Sequence, residues 1–399
     1  MTDFFWPGDH RAAELFSEET FLEALTAVEV AWLDTLVETG VAPSDAKADL
    51  FGVVEPYHDE WLVEEAEAGG NAVIGLVALL RSALEDAQPV AAQWLHRGLT
   101  SQDVLDTALM LMAQDAVGGL RTDIRGQAER LAALMTKHRG TVMAARTLTQ
   151  HAVPTTFGVK VASWLTGVLD AYDDLDRLVF PVQVGGAAGT RAALVELGAD
   201  PDISARLAER LGLVDALPWH TVRTTVTRLG DALVRCTDAW GHIAEDVLVL
   251  SRPEIGEVTE GTGGGSSTMP DKKNPVLSAL IRRAALSTPN LAATLHLAAA
   301  QQVDERAGGS WHVEWATLRD LVRRTVVAGS HAFDLIAELE VHPDRMSATL
   351  GGARPGIHAE QRRMAELAGH APGGVYLGEM DRIIEATLER ARRTFEVTS

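Results

Sequence analysis

The chain has 399 residues, with 35 Lys and Arg against 56 Asp and Glu, which gives a formal net charge of −21. Such a charge leaves room for only a local basic patch, so it excludes proteins that bind nucleic acid or anionic membranes through a broad basic face. The 46% hydrophobic and 23% charged residues are typical of a globular protein. The single cysteine, Cys236, excludes an intrachain disulfide and Cys-rich metal sites. Because the start lacks a signal-peptide pattern and no apolar run approaches the length of a bilayer span, the sequence predicts a cytoplasmic protein.

Apolar residues recur at helical spacing over long stretches, whereas strand signals are few. The first stretch predicts a short helix from Ser17, as N-cap, to Gly40. Longer stripes then predict five long helices, which run through about 105–135, 157–180, 222–250, 277–298 and 318–339. The stripe over 222–250 alternates steps of four and three through four heptads, which is typical of a near-parallel bundle. Cys236 lies on this stripe and is predicted to be a buried, unreactive core thiol.

The predicted fold is therefore all-α, with a long central helix bundle and small helical caps. We place an N-terminal helical domain at 1–95, the bundle at 96–340 and a short C-terminal helical domain at 341–399. In the last of these, Gly351-Gly352 and Pro355-Gly356 are expected to break the helical pattern. Stripes of this length would leave apolar flanks exposed in a monomer, so the pattern predicts self-association into a larger bundle.

The most unusual stretch, 260–275, lies between two of the long helices and has the sequence EGTGGGSSTMPDKKNP. Its glycines favour a mobile loop, which delivers hydroxyl, ammonium and carboxamide groups to the N-terminus of a helix, a place that favours anions. The alternative is a flexible connector. The spacing fits neither common nucleotide-binding loop, and the sequence contains no metal-binding motif, so no cofactor and no metal is expected. A serine here has no His/Asp partner in the sequence and would be activated by positive charge, as Lys272 and Lys273 could supply.

The pattern GSSxMPxKxNP at 265–275 resembles the loop motif of the fumarase/aspartase superfamily. This resemblance implies long central helices that form a twenty-helix bundle in a homotetramer, with each active site assembled from three subunits. The helical stripes agree with such an architecture.

Two further regions resemble the superfamily, in the same order along the chain. The first is HxGxTSxD at 96–103, in which Thr100 and Ser101 correspond to residues that hold a substrate carboxylate in relatives. The second is RTLTQ at 146–150, where Leu148 stands in place of the histidine of the lyases. This departure argues against fumarase, argininosuccinate lyase and adenylosuccinate lyase, which use that histidine.

An apolar residue at this position, followed by a histidine after the glutamine, is found in the branch of bacterial 3-carboxy-cis,cis-muconate cycloisomerases. His151 is similar to that branch, as are the segments 185–190, 218–221, 305–315 and 376–378. The resemblance covers roughly 16–382. Asp271, Lys273 and the pair Thr224-Thr225 depart from it, and the C-terminal part is abbreviated; these departures concern the substrate more than the reaction class.

The resemblance implies that the chain forms a lactone from 3-carboxy-cis,cis-muconate, in aromatic catabolism through the β-ketoadipate pathway. A carboxylate of the substrate adds to a C=C bond through an enediolate-like carbanion, which the site has to stabilise. The implied catalytic residues are Ser266 for proton transfer, Lys272 and Asn274 for the developing charge, and His151 as an acid/base candidate. The implied substrate-binding residues are His96, Thr100, Ser101, Arg146, Gln150, Ser267, Met269 and Arg306.

Two alternatives stay open. Asp271 and Thr224-Thr225 motivate a β-eliminating lyase that releases fumarate or a similar diacid from a substituted succinate. A non-catalytic paralogue is the second alternative, and the intact motif at 265–275 argues against it. Either enzyme takes a small polycarboxylate, which a net charge of −21 repels as a whole. Attraction therefore has to be local, from Lys272, Lys273, Arg306 and helix N-termini of several subunits.

Overall fold

The computed structural model describes residues 3–54, 58–261, 263–269, 271–374 and 376–396, and of residues 59, 354, 355 and 396 only the backbone. Thr262 and Pro270, two positions of the loop singled out in the sequence, lie outside the described residues. The chain is mostly helical and its centre is a bundle of long helices, so the predicted all-α class is confirmed.

The N-terminal part consists of short helices that pack beside the start of the bundle. They are α1 (Glu18–Glu38), α2 (Asp59–Gly69), α3 (Ala72–Glu85) and α4 (Pro89–Trp94), with 3-10 turns at Asp9–Ala12 and Ser44–Ala46. Oγ of Ser17 accepts a 3.1 Å hydrogen bond from the backbone N–H of Thr20, which confirms the predicted cap of α1. Leu25, Trp32 and Leu36 bury one face of this helix.

The central part contains the five predicted long helices. In chain order its elements are α5 (Ser101–Lys137), β1 (Val142–Thr147), β2 (Gln150–Thr156), α6 (Phe157–Asp176), α7 (Ala192–Glu196), α8 (Ile203–Leu211), α9 (Thr224–Leu250), β3 (Val258–Thr259), α10 (Val276–Ala300), α11 (Ser310–Glu338) and β4 (Glu340–Val341). The stripe on α9 is buried through Leu233, Cys236 and Trp240, as predicted, and burial raises the pKa of the Cys236 thiol.

Side-chain contacts at mid-height fix how these helices run. Nε1 of Trp240 on α9 donates to Oε1 of Gln127 on α5 at 2.7 Å, and Gly329 on α11 lies beneath the same indole. Oγ1 of Thr237 contacts Oγ1 of Thr288 on α10 at 2.7 Å. Helices α5, α9 and α11 run in one direction, and α6 and α10 run back between them.

The structure corrects the sequence-based expectation in two places. Strands β1 and β2 form an antiparallel hairpin that the sequence did not predict, with Thr147 opposite Gln150. The C-terminal part comprises α12 (Pro343–Ile357), α13 (Ala359–Leu367) and α14 (Met380–Glu396). The expected break of the helical pattern within 351–356 was wrong, because α12 continues through these residues. The packing of α12 against β1 outweighs the low helix propensity of glycine and proline.

The division of the chain at 95 and 340 stays a prediction. Strands β3 and β4 pair where the last long helix ends, and so connect the bundle to the C-terminal helices. Among the described residues, no helix combines the length and the apolar composition that crossing a membrane requires.

Candidate active site

Thr100 and Arg306, both predicted to bind substrate, are in direct contact. Thr100 is the N-cap residue of α5, and its Oγ1 accepts a 2.6 Å hydrogen bond from Nη2 of Arg306. Nε of Arg306 donates to Oε1 of Gln102 at 3.1 Å. Both acceptors are neutral, so the guanidinium keeps its positive charge beside the N-terminus of a long helix. Together with the neighbouring His96 and Ser101, these residues form what we name the α5 cluster.

The start of α5 is held by Asp103, whose carboxylate is fully buried. Its Oδ2 accepts from the backbone N–H groups of Thr100 and Gly186, both at 2.9 Å, and its Oδ1 accepts from that of Gly185 at 2.8 Å. Nε2 of His220 lies 2.7 Å from the same Oδ1. A Cβ at position 185 would lie 2.5 Å from the His220 ring, so glycine is needed for the backbone to come this close.

A buried ion cluster lies one turn further along α5. Nη1 and Nη2 of Arg223 donate to the two oxygens of Asp106 at 2.7 and 2.9 Å, and Nε and Nη2 donate to Oε2 of Glu314 at 3.0 and 2.5 Å. Burial lowers the pKa of Arg223, but the two carboxylates raise it by more, so the guanidinium stays charged. The pKa of Glu314 is raised. Burial is the main cause, Arg223 offsets it only in part, and repulsion from Asp106 adds to it.

His96 has a buried carboxylate behind it. Its Nδ1 lies 2.6 Å from Oε1 of Glu29 on α1, and the Glu29 side chain is fully buried. His96 has φ 63°, in the left-handed region that residues other than glycine seldom adopt. Burial lowers the pKa of His96, but the charge and hydrogen bond of Glu29 raise it by more, so the net shift is upward. A protonated His96 adds a second positive charge to the α5 cluster.

The loop 260–275 is closed at its base. The backbone N–H of Gly264 donates to the carbonyl of Asn274, and that of Asn274 to the carbonyl of Gly264, both at 2.7 Å. Below this bridge, Oε1 of the buried Glu260 accepts from N–H and Oγ of Ser278 at 2.6 and 2.7 Å, which caps the first turn of α10. Nδ2 of Asn274 donates to the carbonyl of Gly265 at 3.1 Å, so this amide also holds the loop closed.

Ser266 lies within the closed loop and is half-buried. Its Oγ accepts hydrogen bonds from the backbone N–H groups of Met269 at 3.2 Å and Thr268 at 3.4 Å. Two backbone donors aimed at one oxygen stabilise negative charge on it. The side chains of Ser267, Met269 and Lys272, which are also predicted site residues, are exposed around this serine.

The hairpin carries the other predicted residues. Arg146 on β1 donates through Nη1 and Nη2 to the two oxygens of the fully buried Glu257, at 3.0 and 2.9 Å. This pair ties the hairpin to the segment that leads into the loop. Gln150 and His151 begin β2 and are exposed, and Leu148 at the tip is 96% exposed. We name the hairpin and loop residues together the loop cluster: Arg146, Gln150, His151, Ser266, Ser267, Met269, Lys272 and Asn274.

The α5 cluster and the loop cluster lie at opposite ends of the bundle. Helix α9 spans the gap: Arg223, just before it, contacts Asp106 near the start of α5, and the chain leaves its far end toward the loop. Its 27 residues correspond to about 40 Å. Glu338, the last residue of α11, packs against Gly261 at that same far end. Within one chain, the two clusters are therefore not within reach of one small molecule.

Several functional candidates were missed in the sequence. Glu29, Gln102 and Glu257 are fully buried polar side chains, and each contacts a predicted site residue. Arg223 is the buried partner of both Asp106 and Glu314. The signal that could have found them is a charged or amide residue on an otherwise apolar helical face. Within the part of the chain that the structure describes, no three His, Cys, Asp or Glu side chains are grouped to hold a metal ion.

The sequence model of a lyase family matches residues 58–288. The chain thus belongs to this family, and the predicted membership of the fumarase/aspartase superfamily is confirmed. It is an enzyme family, and this chain covers about three quarters of the length of two of its curated members.

Three relatives illustrate the range of activities. The nitrosuccinate lyase of Streptomyces davaonensis is 42% identical over 84% of this chain and 73% of that protein. The 3-carboxy-cis,cis-muconate cycloisomerase of Bradyrhizobium diazoefficiens is 37% identical over 86% of this chain and 77% of that protein. The crystal structure of the 3-carboxy-cis,cis-muconate lactonizing enzyme from Pseudomonas putida superimposes with a TM-score of 0.82 at 30% identity, covering 97% of this chain and 86% of the other. Both a lyase and cycloisomerases are therefore among the relatives.

Proposed function

We propose that this enzyme converts 3-carboxy-cis,cis-muconate to a lactone, at a site that combines the α5 cluster of one copy with the loop cluster of others. The observation that carries the proposal is Leu148, 96% exposed at the hairpin tip where lyases with strongly basic leaving groups place a histidine. Expulsion of an amine or hydroxide needs a proton donor, whereas a carboxylate, with a conjugate acid pKa of about 4, does not. The apolar tip therefore favours a reaction in which a weakly basic anion adds or leaves.

Proton transfer to carbon is the remaining step, and we assign it to Ser266. In the lactone-forming direction, a substrate carboxylate oxygen attacks the C=C bond, and the electron pair moves to the carbon next to a second carboxylate. The Ser266 hydroxyl then gives its proton to that carbanion. The N–H groups of Met269 and Thr268 stabilise the alkoxide that is left, and solvent returns the proton. Lys272 adds positive charge from the exposed part of the loop.

The α5 cluster supplies recognition of the other carboxylates. Arg306 offers a guanidinium held by Thr100 and Gln102, and Ser101 lies in the first turn of α5, where the helix N-terminus favours negative charge. His96, held by Glu29, supports the same negative charge. Since Ser266 lies about 40 Å away in the same chain, a homotetramer with shared active sites accounts for how both clusters reach one substrate. Gln150 and His151 on the exposed face of the hairpin complete the proposed site.

A second candidate function is elimination from nitrosuccinate, which is favoured by the 42% identity to the Streptomyces lyase. In that reaction Ser266 abstracts the proton next to a carboxylate, and the nitrogen substituent leaves as nitrite. Nitrite is also a weak base, so the exposed Leu148 fits this reaction as well. Asp271 and Lys273 are exposed on the loop, and Thr224 is exposed on α9. These three departures from the cycloisomerase pattern are thus on the surface, where they can accommodate a different substrate.

The two candidates are separated by offering each substrate to the purified protein. Lactone formation removes the conjugated diene of 3-carboxy-cis,cis-muconate, and its absorbance falls. Elimination from nitrosuccinate releases nitrite, which a colorimetric assay measures. We expect turnover of the muconate and no turnover of adenylosuccinate or argininosuccinate, whose leaving groups are amines. Nitrite release without muconate turnover would replace the first candidate by the second, and turnover of an amine adduct would contradict the leaving-group argument.

A further inference from the structure

The carboxamide of Gln102 joins the α5 cluster to the buried ion cluster. Oε1 of Gln102 accepts from Nε of Arg306 at 3.1 Å, and its Nε2 donates to Oδ2 of Asp106 at 3.2 Å and to the carbonyl of His220 at 2.9 Å. The side chain is fully buried. Its hydrogen bonds thus connect the guanidinium of Arg306 to the buried carboxylate of Asp106.

The partners leave the amide one orientation. With its oxygen toward Arg306 and its nitrogen toward Asp106 and His220, each contact joins a donor to an acceptor. The flipped amide would set N–H against N–H at Arg306 and oxygen against oxygen at the other two. Burial makes those losses costly, because water cannot replace the missing partners.

The carboxylate of Asp106 is already satisfied without Arg306. It receives both terminal nitrogens of Arg223, Nε1 of Trp311 at 3.1 Å and Nε2 of Gln183 at 3.3 Å. The two hydrogen bonds of Arg306 go to neutral oxygens, and no carboxylate in the described ranges forms a salt bridge with it. The positive charge of Arg306 is therefore held in place but not neutralised.

We propose that Gln102 is a positioning residue that aims Arg306 at a substrate carboxylate while keeping its charge unpaired. The inference rests on the proposed function, because it takes the α5 cluster to be the carboxylate-binding part of the site. A carboxylate in place of this amide would keep the size of the side chain but would no longer leave the charge of Arg306 unpaired. It would pair with Arg306 and compete with the substrate for the guanidinium.

The substitution Gln102→Glu tests this directly. We expect KM for the substrate to rise about tenfold or more, with kcat changed by less than about threefold, since a charge-assisted contact is lost in the bound state and the reacting groups are untouched. The dissociation constant of tricarballylate, an unreactive tricarboxylate, should rise by a similar factor. The tricarballylate measurement does not depend on which substrate is turned over, so it decides the role of Gln102 even if the muconate assay fails.

The pH profile separates a charge effect from a packing defect. Glutamic acid at this position has an O–H for Asp106 and a C=O for Arg306, so it imitates glutamine when protonated. The adjacent Asp106 carboxylate raises the pKa of the introduced acid. The binding defect of Gln102→Glu should therefore shrink as pH falls and grow as pH rises. A defect that does not change with pH would contradict the proposal.

Gln127 offers a matched control on the same helix. It is also fully buried, it bonds Trp240 and the carbonyl of Gly329, and it lies 25 residues further along α5, about 37 Å away. Gln127→Glu introduces the same buried carboxylate and should leave tricarballylate binding within about twofold. An equal loss of binding in Gln127→Glu would overturn the proposal.

A second variant covers the case in which Gln102→Glu does not fold. Gln102→Met removes the hold on Arg306 without adding charge, with Gln127→Met as its control. We expect Gln102→Met to weaken tricarballylate binding about threefold to tenfold, because Arg306 keeps its charge but loses the hydrogen bond that orients its guanidinium. Wild-type binding by Gln102→Met would show that Arg306 needs no such support.

Discussion

The two ends of the bundle present different groups to a negative charge. At the α5 cluster these groups are side-chain cations, which lie next to a buried network of Asp103, Asp106, Arg223 and Glu314. At the loop cluster, two backbone N–H groups face the oxygen of Ser266, in a loop whose outer residues are exposed. Our proposal thus assigns substrate recognition to residues of the folded core and proton transfer to a surface loop. Substitutions at the first end should change stability and binding, and substitutions at the second should change turnover.

The largest effect is expected at the loop. Ser266→Ala removes the proposed proton-transfer group and should lower kcat on the order of 10³-fold or more, with KM and the unfolding midpoint little changed. Thr268→Ala is the matched control, because it keeps the backbone N–H that donates to Ser266. A Ser266→Ala enzyme with undiminished turnover would remove Ser266 from the mechanism.

The next effect is expected in the buried ion cluster. Arg223→Met leaves Asp106 and Glu314 buried without their shared cation, and should lower the free energy of unfolding by about 3–5 kcal/mol. Arg139→Met is the control at the surface, where Arg139 pairs with Asp381 and Glu385, and should lower the free energy of unfolding far less, because solvent screens these pairs. Urea unfolding measures both. Equal losses in the two variants would show that the α5 end is no more dependent on its charges than the surface.

A smaller effect concerns the pH dependence of His96. Its pKa in the folded protein is raised above the ordinary 6.5, so the Glu29 pair stabilises the fold fully below about pH 6.5. That contribution is lost as pH rises through the raised pKa. The unfolding temperature of His96→Gln should therefore fall further below wild type at about pH 6 than at about pH 9. His296→Gln, whose imidazole is exposed beside Asp231, should show little difference, and a gap for His96→Gln that widens with pH would contradict the assignment.

The sequence predicted the long helices well because each buries a continuous stripe, as on α9, where Leu233, Cys236 and Trp240 are all buried. It did not predict the hairpin, because Leu148 and Thr149 both adopt positive φ, 48° and 70°, without the Asn or Gly that usually marks such a turn. Packing against that hairpin also explains the unexpected continuity of α12.

For the candidate site, the motifs identified residues that lie close together in sequence but could not show which of them share an end of the bundle. Thr100 and Arg306 are 206 positions apart and touch, whereas Ser266, only 40 positions from Arg306, lies at the other end. Gln102 and Glu29, which contact these residues, are marked in the sequence only as polar residues on an apolar helical face, and the site residues that they contact are distant in sequence. Their roles come from three-dimensional contacts alone.

The central claim is that neither end of one chain is an active site by itself. Mixing inactive subunits tests it most directly. Ser266→Ala and Arg306→Met are each expected to be nearly inactive. When the two variants are mixed one to one and assemble at random, about a quarter of the sites should combine an unmutated Ser266 with an unmutated Arg306 from another subunit. Recovery of about a quarter of wild-type activity is the predicted result. Activity no higher than that of the two separate variants would contradict the shared site.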